Sequence, residues 1–208
     1  MEEKLTEKSC AEFASALSSS APVPGGGGAS ALCGALAAAL CAMAARLSGG
    51  KNKTPAQFDR LGEIVSRADA LRQRLLELAE EDAAGFTPLA AAYRLPKDAP
   101  DYKKTLRGAT LGACRAPMEM AERCAEAAEL LEQMKELSSR MLLSDVGCGA
   151  ALCRAALESA ALNVLVNTHA LPGDAEAEQL NERVRQVLAA NLTRLEAIAL
   201  SVREVFQS

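Results

Sequence analysis

Asp82, in the segment EEDAAGF, is an acidic residue within a stretch that is otherwise rich in Leu and Ala. Glu80 and Glu81 fit the solvated face of a helix, whereas Asp82 stands one turn before Phe86, one of only four phenylalanines. Residues four apart lie on one face of a helix, so the Asp82 carboxylate and the Phe86 ring are expected to share a face. Asp82 is therefore the acid of this segment that is least easily explained as a solvated side chain.

A second acid lies in the segment SDVGCG, where Ser144 and Asp145 precede an alanine-rich stretch. Capping of the following helix is the ordinary role of such residues. The segment is also a short acidic entry bordered by glycine, which could face a pocket. Ser144 and Asp145 are therefore candidate pocket residues.

Four consecutive glycines, Gly25, Gly26, Gly27 and Gly28, precede an apolar run that contains Ser30. A Walker A loop needs a Lys after its glycines, and a dinucleotide fingerprint needs a preceding strand; the segment has neither. One interpretation is a tight turn that packs two helices. The other is a ligand site made by the four glycines and Ser30, because glycines before a helix expose N–H groups and let a flat or anionic ligand approach.

Asn163 and Asn167, in LNVLVNTH, are four residues apart and share one helix face. A buried amide must find hydrogen-bond partners, either on another helix or on a heterocyclic ligand. His169, the only histidine, stands near the end of the same helix. Interaction with the helix dipole is its simplest interpretation, and acid–base catalysis is the alternative.

Helices must position these residues. The chain has 208 residues, of which 50% are hydrophobic and 3% aromatic, with no Trp. A core of Ala, Leu, Val and Met lets helices approach closely, and the scarcity of strand-forming residues favours an all-α fold. The length suits a single domain spanning residues 1–208. A net charge of −4 argues against a nucleic-acid-binding protein.

Hydrophobic periodicity predicts a single-domain bundle of six or seven helices and no strand. Thr54, Pro55 and Gln57 form a strong helix start with a capping box. A kink is expected near Gly85 and Pro88. The predicted helices cover residues 3–18, 29–47, 55 to about 93, about 100 to a bend or restart at Pro117, 118–141, 150–169 and 175–206. The two alanine-rich helices, 29–47 and 150–169, are expected to pack together at the centre.

The seven cysteines form no C-x-x-C pair and mostly lie in Ala/Leu-rich segments, which is typical of free thiols in a reducing cytoplasm. Their spacing and the single histidine fit no zinc site. The N-terminal segment MEEKLTEKSCAEF lacks a basic region followed by an apolar core, so no secretory signal is expected. The apolar run after the glycines is slightly short for a membrane span, and we expect a cytoplasmic protein outside the membrane.

Four segments, PVPGGGGASALCGALAAAL, DAAGF, RLPK and SDVGCGAALCRAALESAALNVLVN, occur in this order and together resemble the cyclodeaminase/cyclohydrolase family of folate enzymes. That family includes the cyclodeaminase domain of formiminotransferase-cyclodeaminase and stand-alone bacterial methenyltetrahydrofolate cyclohydrolases. The resemblance covers essentially the whole chain. It implies an all-helical homodimer with a folate site in a groove near these segments.

The resemblance also implies roles for the candidate residues. Both folate reactions need a carboxylate beside one carbon in a pocket that controls access of water, and they need no metal or redox cofactor. Asp82 and Asp145 are the catalytic candidates, and Asn163 and Asn167 would bind the pterin ring. The anionic glutamate tail of the substrate would meet Lys51, Lys53 and Arg107, with help from the helix amides after the four glycines.

Three functions remain open at this point. The first is hydrolysis of 5,10-methenyltetrahydrofolate to 10-formyltetrahydrofolate, which the absence of a formiminotransferase domain in this sequence favours slightly. The second is cyclodeamination of 5-formiminotetrahydrofolate with release of ammonia. The third is a non-catalytic helical dimer that binds a folate-like ligand. In each, the two glycine-bordered entries are expected to meet around a buried acid, within one chain or across the dimer.

Overall fold

The computed structural model describes residues 4–50 and 53–207, and these residues form helices and connecting segments without a strand. The candidate Lys51 lies outside the described residues. A short 3-10 helix, Leu5–Glu7, precedes the first α-helix, and another, Arg140–Leu142, precedes the sixth. The α-helices are α1 (Cys10–Leu17), α2 (Gly26–Leu47), α3 (Pro55–Tyr93), α4 (Tyr102–Ala113), α5 (Arg115–Leu137), α6 (Leu143–Thr168) and α7 (Ala175–Gln207). The predicted all-α fold is confirmed.

The long helix α3 begins at the predicted capping box. The side chain of Thr54 accepts a hydrogen bond from the backbone N–H of Gln57, and the Gln57 side chain accepts one from the backbone N–H of Thr54. The helix continues through Gly85 and Pro88 to Tyr93. The predicted restart at Pro117 is also confirmed, because α5 begins at Arg115 and holds this proline in its first turn, where proline is tolerated.

Two predicted helix starts are wrong. Helix α2 begins at Gly26 rather than at residue 29, so three of the four glycines belong to its first turn. Helix α6 begins at Leu143 and runs straight through SDVGCG rather than starting at residue 150. Its glycines are sites of close packing: a β-carbon on Gly147 would lie 3.0 Å from Val202, and one on Gly149 would lie 2.8 Å from Leu131.

Neither predicted capping residue caps α6. Leu142 is its N-cap residue and makes no side-chain capping bond. Ser144 and Asp145 instead lie in the first turn, where the carboxylate suits the positive end of the helix dipole. The predicted N-terminal helix 3–18 is also divided, because Ser9 and Glu12 form a capping box that begins α1 at Cys10.

The two alanine-rich helices pack together at the centre, as predicted, and they run antiparallel. Gly26 at the start of α2 lies against Asn163 near the end of α6, whereas Gly149 near the start of α6 lies against Ala37 and Leu40 of α2. Helix α3 flanks α2, helix α7 flanks α6, and α5 packs against all four. The core residues of α5 that fill this space include Met120, Leu130, Leu131 and Met134, each fully buried.

One surface of the central pair is apolar and exposed. Helices Gly26–Leu47 and Arg140–Thr168 are long and apolar enough to cross a membrane by length and composition, although 61% and 44% of their most apolar stretches are buried inside the protein. The exposed remainder includes Leu36 and Leu47 of α2 together with Leu162 and Val166 of α6. We call these four residues and the small residues between them the α2–α6 face.

The seven cysteines are free thiols. Cys41, Cys114, Cys124 and Cys153 are buried, and Cys153 donates a hydrogen bond to the carbonyl oxygen of Cys124 at 3.1 Å. Burial raises the pKa of Cys41 to about 12 and that of Cys114 to about 11. These thiols are therefore protonated, unreactive members of the core.

Candidate functional site

The carboxylate of Asp82 is seated directly on the first turn of α2. A β-carbon on Gly27 would overlap all three atoms of this carboxylate, so a side chain at that position would have to displace it. Asp82 is half-buried, and it makes no hydrogen bond or ion pair with residues 4–50 or 53–207. The structure thus places the first candidate acid over one of the four glycines that the sequence singled out.

Burial is what changes the acidity of Asp82. Loss of water around the carboxylate disfavours its charged form and raises its pKa from 3.8 to about 6. A carboxyl group with this pKa is mostly ionised at neutral pH, and its protonated form is easily reached. Such a group can act both as a base and as an acid in one catalytic cycle.

The two asparagines of α6 lie beside this acid. The side chain of Asn163 packs 3.4 Å from where a β-carbon on Gly26 would be, and its Nδ2 donates to the carbonyl oxygen of Ser159 at 2.8 Å. One turn later, Nδ2 of Asn167 lies 3.5 Å from the carbonyl oxygen of Ala113 at the end of α4. Each amide keeps its side-chain oxygen available for a ligand, because no described residue donates to it.

A groove of about 690 Å³ runs between α3 and α4 and starts one turn after Asp82. Gly85, Gly108 and Gly112 leave its walls largely to the backbone. Lys104 and Arg115 line it with positive charge, and Asp101 contributes one negative charge. The acid and the two amides therefore lie next to the groove, because Gly85 of the lining and Asn167 both approach Ala113, and we call these residues together with the groove the Asp82 site.

Three other candidates, Asp145, Ser144 and Lys53, lie at the opposite end of the molecule. Asp145 precedes Asn163 by eighteen residues on α6, which is roughly 27 Å along the helix axis. Ser144, the residue before Asp145, lies at the same end. Lys53, which follows α2, donates a hydrogen bond from Nζ to the carbonyl oxygen of Leu137 there, at 2.6 Å. Within one chain, the two glycine-bordered entries do not meet, so of the two expected arrangements only a meeting across a dimer remains.

Comparison with known proteins identifies this architecture. The model of the formiminotransferase-cyclodeaminase family matches residues 9–186. The chain belongs to this family. It is 35% identical over 182 residues to methenyltetrahydrofolate cyclohydrolase of Methylorubrum extorquens, which covers 85% of this chain and 87% of that relative. The resemblance found in the sequence is thereby confirmed.

Two further relatives are named as cyclodeaminases rather than as a cyclohydrolase. The crystal structure of formiminotetrahydrofolate cyclodeaminase from Thermotoga maritima is similar with a TM-score of 0.84 and 25% identity, and the match covers 97% of this chain and 96% of that one. The formimidoyltransferase-cyclodeaminase of Rattus norvegicus is 26% identical over 195 residues. This chain spans 35% of the length of the rat protein.

Other polar residues of this cyclodeaminase-family chain have structural partners. Arg107 donates to Asp174 at 2.5 Å and to Glu176 at 3.2 Å, so its charge is matched by acids at the start of α7. Ser30 is buried and donates to the carbonyl oxygen of Gly26 at 2.7 Å. These contacts make Arg107 and Ser30 poor candidates for direct substrate contact.

The outer two glycines also have structural roles. Gly25 is the N-cap residue of α2 and, having no side chain, makes no side-chain capping hydrogen bond. A β-carbon on Gly28 would lie 3.2 Å from Pro24 and 3.9 Å from Phe13. These two glycines therefore shape the entry to α2, while Gly26 and Gly27 face Asn163 and Asp82.

Sequence analysis missed Lys104, Arg115, Gly108 and Gly112. The two glycines could have been noticed in the sequence. They are four residues apart on a predicted helix, and because glycine weakens a helix, their presence suggests a function other than helix formation. For the two cations there was no such signal, because the sequence KKTLRG offers several basic residues and does not show which of them faces a groove.

A second groove, of about 490 Å³, lies between α6 and α7. Its lining includes Ser144, Gly147 and Cys148, together with Arg154 and Arg203. It lies at the same end as Asp145 and is separate from the Asp82 site. His169 is exposed at the C-terminal end of α6.

Proposed function

We propose that this chain is a methenyltetrahydrofolate cyclohydrolase, which converts 5,10-methenyltetrahydrofolate and water to 10-formyltetrahydrofolate. The observation that carries the proposal is the half-buried Asp82 on Gly27, at the head of a groove and beside two amides. The similarity to the Methylorubrum cyclohydrolase supports this choice, because its 35% identity exceeds the 25–28% shared with the cyclodeaminases.

Asp82 would act first as a base. The substrate carries a positive charge spread over N5, one carbon and N10, and a nearby carboxylate stabilises that charge. A water molecule attacks the carbon while Asp82 accepts one of its protons, so that a C–O bond forms and the cation is neutralised. The pKa of about 6 leaves Asp82 ionised and ready for this step at neutral pH.

Asp82 would then act as an acid. The bond between the carbon and N5 breaks, and N5 receives the proton held by Asp82. The hydroxyl group loses its proton to solvent as the formyl C=O forms, which leaves the one-carbon unit on N10. The sum is one water consumed and one proton released.

Binding of the pterin ring falls to the neighbouring groups. The side-chain oxygens of Asn163 and Asn167 can accept hydrogen bonds from ring N–H groups. Phe86, one turn after Asp82, is 37% exposed and offers an aromatic face for stacking. Gly26 in the first turn of α2 is exposed and has no side chain, so a flat ring can come close to the backbone there. No metal or redox cofactor takes part.

Loss of the methenyl chromophore tests the proposal. Purified protein should accelerate the decay of methenyltetrahydrofolate well above the rate in buffer, and the Asp82→Asn variant should not. Binding of the folate without faster decay would support the non-catalytic dimer instead. Decay at the buffer rate without binding would exclude both.

A second candidate function is formiminotetrahydrofolate cyclodeaminase. It is favoured by the close structural similarity to the Thermotoga enzyme. In that reaction N10 attacks the formimino carbon of 5-formiminotetrahydrofolate, and ammonia leaves after receiving a proton, for which Asp82 is again the donor at the site. Release of ammonia from 5-formiminotetrahydrofolate, compared with methenyl hydrolysis by the same preparation, decides between the two.

We also propose a homodimer that buries the α2–α6 face. Residues 26–45 of α2 include no charged side chain, and the exposed leucines and valine of this face lie on two adjacent helices. A surface of this kind is typical of a subunit interface. A cytoplasmic location suits the seven free cysteines.

Such a dimer would bring the two candidate acids, Asp82 and Asp145, close together. If the two-fold axis lies across the helices, the start of α2 in one copy faces the start of α6 in the other. Asp145 and Lys53 of one copy would then lie near Asp82 of its partner. We therefore keep Asp145 as the proposed second carboxylate, with Ser144 beside it.

Sedimentation analysis tests the dimer. Leu162→Glu places a charge at a position that is 65% exposed in the single chain, and it should yield monomers. Phe206→Glu on α7, where Phe206 is 53% exposed outside this face, is the matched control and should remain dimeric. A dimeric Leu162→Glu variant would place the interface elsewhere.

A further inference from the structure

Positive charge is concentrated beside the Asp82 site of an otherwise acidic chain. Residues 94–107 contain five basic side chains, Arg94, Lys97, Lys103, Lys104 and Arg107, against two acids, Asp98 and Asp101, while the whole chain has a net charge of −4. Four of these cations are exposed without a partner among the described residues; Arg107 is the exception. The basic segment borders the groove between α3 and α4.

Two cations face into that groove. Lys104 and Arg115 line it and form no hydrogen bond or ion pair within residues 4–50 and 53–207. Asp101 is the single acid in the lining, so positive charge prevails there. Arg107 differs, because Asp174 and Glu176 already satisfy its guanidinium group.

The glycines of α4 need an explanation that protein packing does not supply. Gly108 and Gly112 lie one turn apart within α4, and glycine weakens a helix relative to alanine. A β-carbon on either would meet nothing within 4 Å. Both glycines line the groove, so their missing side chains widen it for something that is not part of the chain.

We propose that this groove holds the aminobenzoyl-glutamate arm of the folate, with Lys104 and Arg115 as the residues that bind its glutamate carboxylates. The inference rests on the proposed function. With the pterin ring at Asp82, the arm passes Gly85 and enters the groove. The aminobenzoyl ring then lies flat against Gly108 and Gly112. Gly112 and Lys104 are eight residues apart, about 12 Å along α4, which suits an aromatic ring followed by one glutamate.

Additional glutamates would continue along the basic segment. Each γ-linked glutamate adds one carboxylate to the tail, and Lys97 and Lys103 lie beyond the groove on the same stretch of chain. The proposal therefore assigns recognition of the glutamate tail to the positive charges of the groove and of the basic segment, separately from the contacts at the reacting carbon. It also replaces Arg107 by Lys104 and Arg115 as partners of the tail.

The test compares methenyltetrahydropteroate, which has no glutamate, with the mono- and tetraglutamate forms of methenyltetrahydrofolate. In the wild-type protein, KM should fall as glutamate is added. In Lys104→Gln combined with Arg115→Gln, KM for the glutamate forms should rise about tenfold, while KM for the pteroate and kcat for all three stay unchanged.

Two further variants keep the result interpretable. Lys135→Gln removes the same charge from α5, away from the groove lining and the basic segment, and it should leave KM for all three substrates unchanged. Gly108→Leu should fold, because a β-carbon at residue 108 meets nothing within 4 Å, but its side chain should fill the groove and raise KM for all three substrates.

The outcomes separate the two proposals. If the double variant turns over substrate and its KM depends on glutamate number as in the wild type, the groove assignment is overturned. The cyclohydrolase proposal is unaffected by that result. Turnover with an unchanged KM in Gly108→Leu would overturn the groove assignment as well. No turnover of any of the three substrates by the wild type would refute the cyclohydrolase, and the groove assignment with it.

Discussion

The carboxylate of Asp82 on α3 fills the space that a β-carbon on residue 27 of α2 would need. The neighbouring glycine differs, since a β-carbon on Gly26 would stand in ordinary contact with Asn163, 3.4 Å from Nδ2. The position of the candidate catalytic acid thus depends on a single missing side chain on another helix. Two elements more than fifty residues apart in sequence are fitted to each other at this point.

Gly27→Ala should lower kcat at least about tenfold. The added methyl group must push the Asp82 side chain aside, and a displacement of about 1 Å from the reacting atoms can cost a hundredfold in rate. Crowding costs about 1–3 kcal/mol of stability, of which the better helix propensity of alanine returns up to about 1 kcal/mol. Steady-state kinetics and urea unfolding measure the two effects.

The matched control is Gly62→Ala in α3. A β-carbon at residue 62 meets nothing within 4 Å, so the variant should gain about 0.5–1 kcal/mol and keep wild-type kcat. Wild-type kcat in Gly27→Ala as well would show that the position of Asp82 over α2 is irrelevant to turnover.

Asp82→Asn should remain folded and lose about a hundredfold or more in kcat, because an amide cannot accept the proton of the attacking water. The carboxyl pKa is raised in the folded state, so its contribution to stability is fully present below pH 3.8 and is lost as the pH rises through about 6. The neutral amide avoids that loss. Urea unfolding should therefore find the variant at least as stable as the wild type at pH 8.

The comparison at low pH completes this prediction. Near pH 4 both side chains are largely uncharged in the folded protein, and the stability advantage of the variant should shrink. A folded Asp82→Asn protein with wild-type turnover would remove Asp82 from the catalytic role. A variant that is less stable at pH 8 would show that the charged carboxylate is stabilised by its surroundings.

The pH dependence of the wild type should report the same group. Above a pKa of about 6 Asp82 is ionised and can serve as the base, so kcat/KM should rise with pH through about 6 and level off above 7. The rate in buffer is subtracted at each pH. Desolvation alone raises this pKa, and no charged side chain contributes to it. A flat profile between pH 5 and 7.5 would exclude Asp82 as the base.

The helices were largely predictable because local signals agree with the tertiary structure. The capping box of Thr54 begins α3, and periodic leucines and valines place α7 within a residue of its observed end. The starts of α2 and α6 were not predictable, because glycine usually interrupts a helix. In α6, Leu131 and Val202 occupy the space beside Gly149 and Gly147, and the sequence does not show which distant side chains will fill that space.

The candidate site was predictable in part. Asp82, Asn163 and Asn167 stand out as polar residues in apolar helices, and the structure brings them together. The relative direction of α2 and α6 leaves no local trace in the sequence, so the opposite placement of Asp145 could not be foreseen. The ion pairs of Arg107 could not be foreseen for a similar reason, since its partner Asp174 lies 67 residues away in sequence.

Mixing two inactive variants tests whether a second copy supplies Asp145. If each site combines Asp82 of one copy with Asp145 of the other, Asp82→Asn and Asp145→Asn are each inactive as homodimers. Their heterodimer contains one site with both acids intact and one with neither. Random exchange of subunits should therefore restore about a quarter of wild-type activity.

The control mixture pairs defects from the same end of one chain. Asp82→Asn with Gly27→Ala leaves one defect in every site of the heterodimer, because both residues belong to the same copy of the Asp82 site, and activity should not rise above that of Gly27→Ala. Recovery in the first mixture alone would establish a site shared between two copies. If subunit exchange is verified and neither mixture recovers, Asp145 does not act at the Asp82 site of a partner.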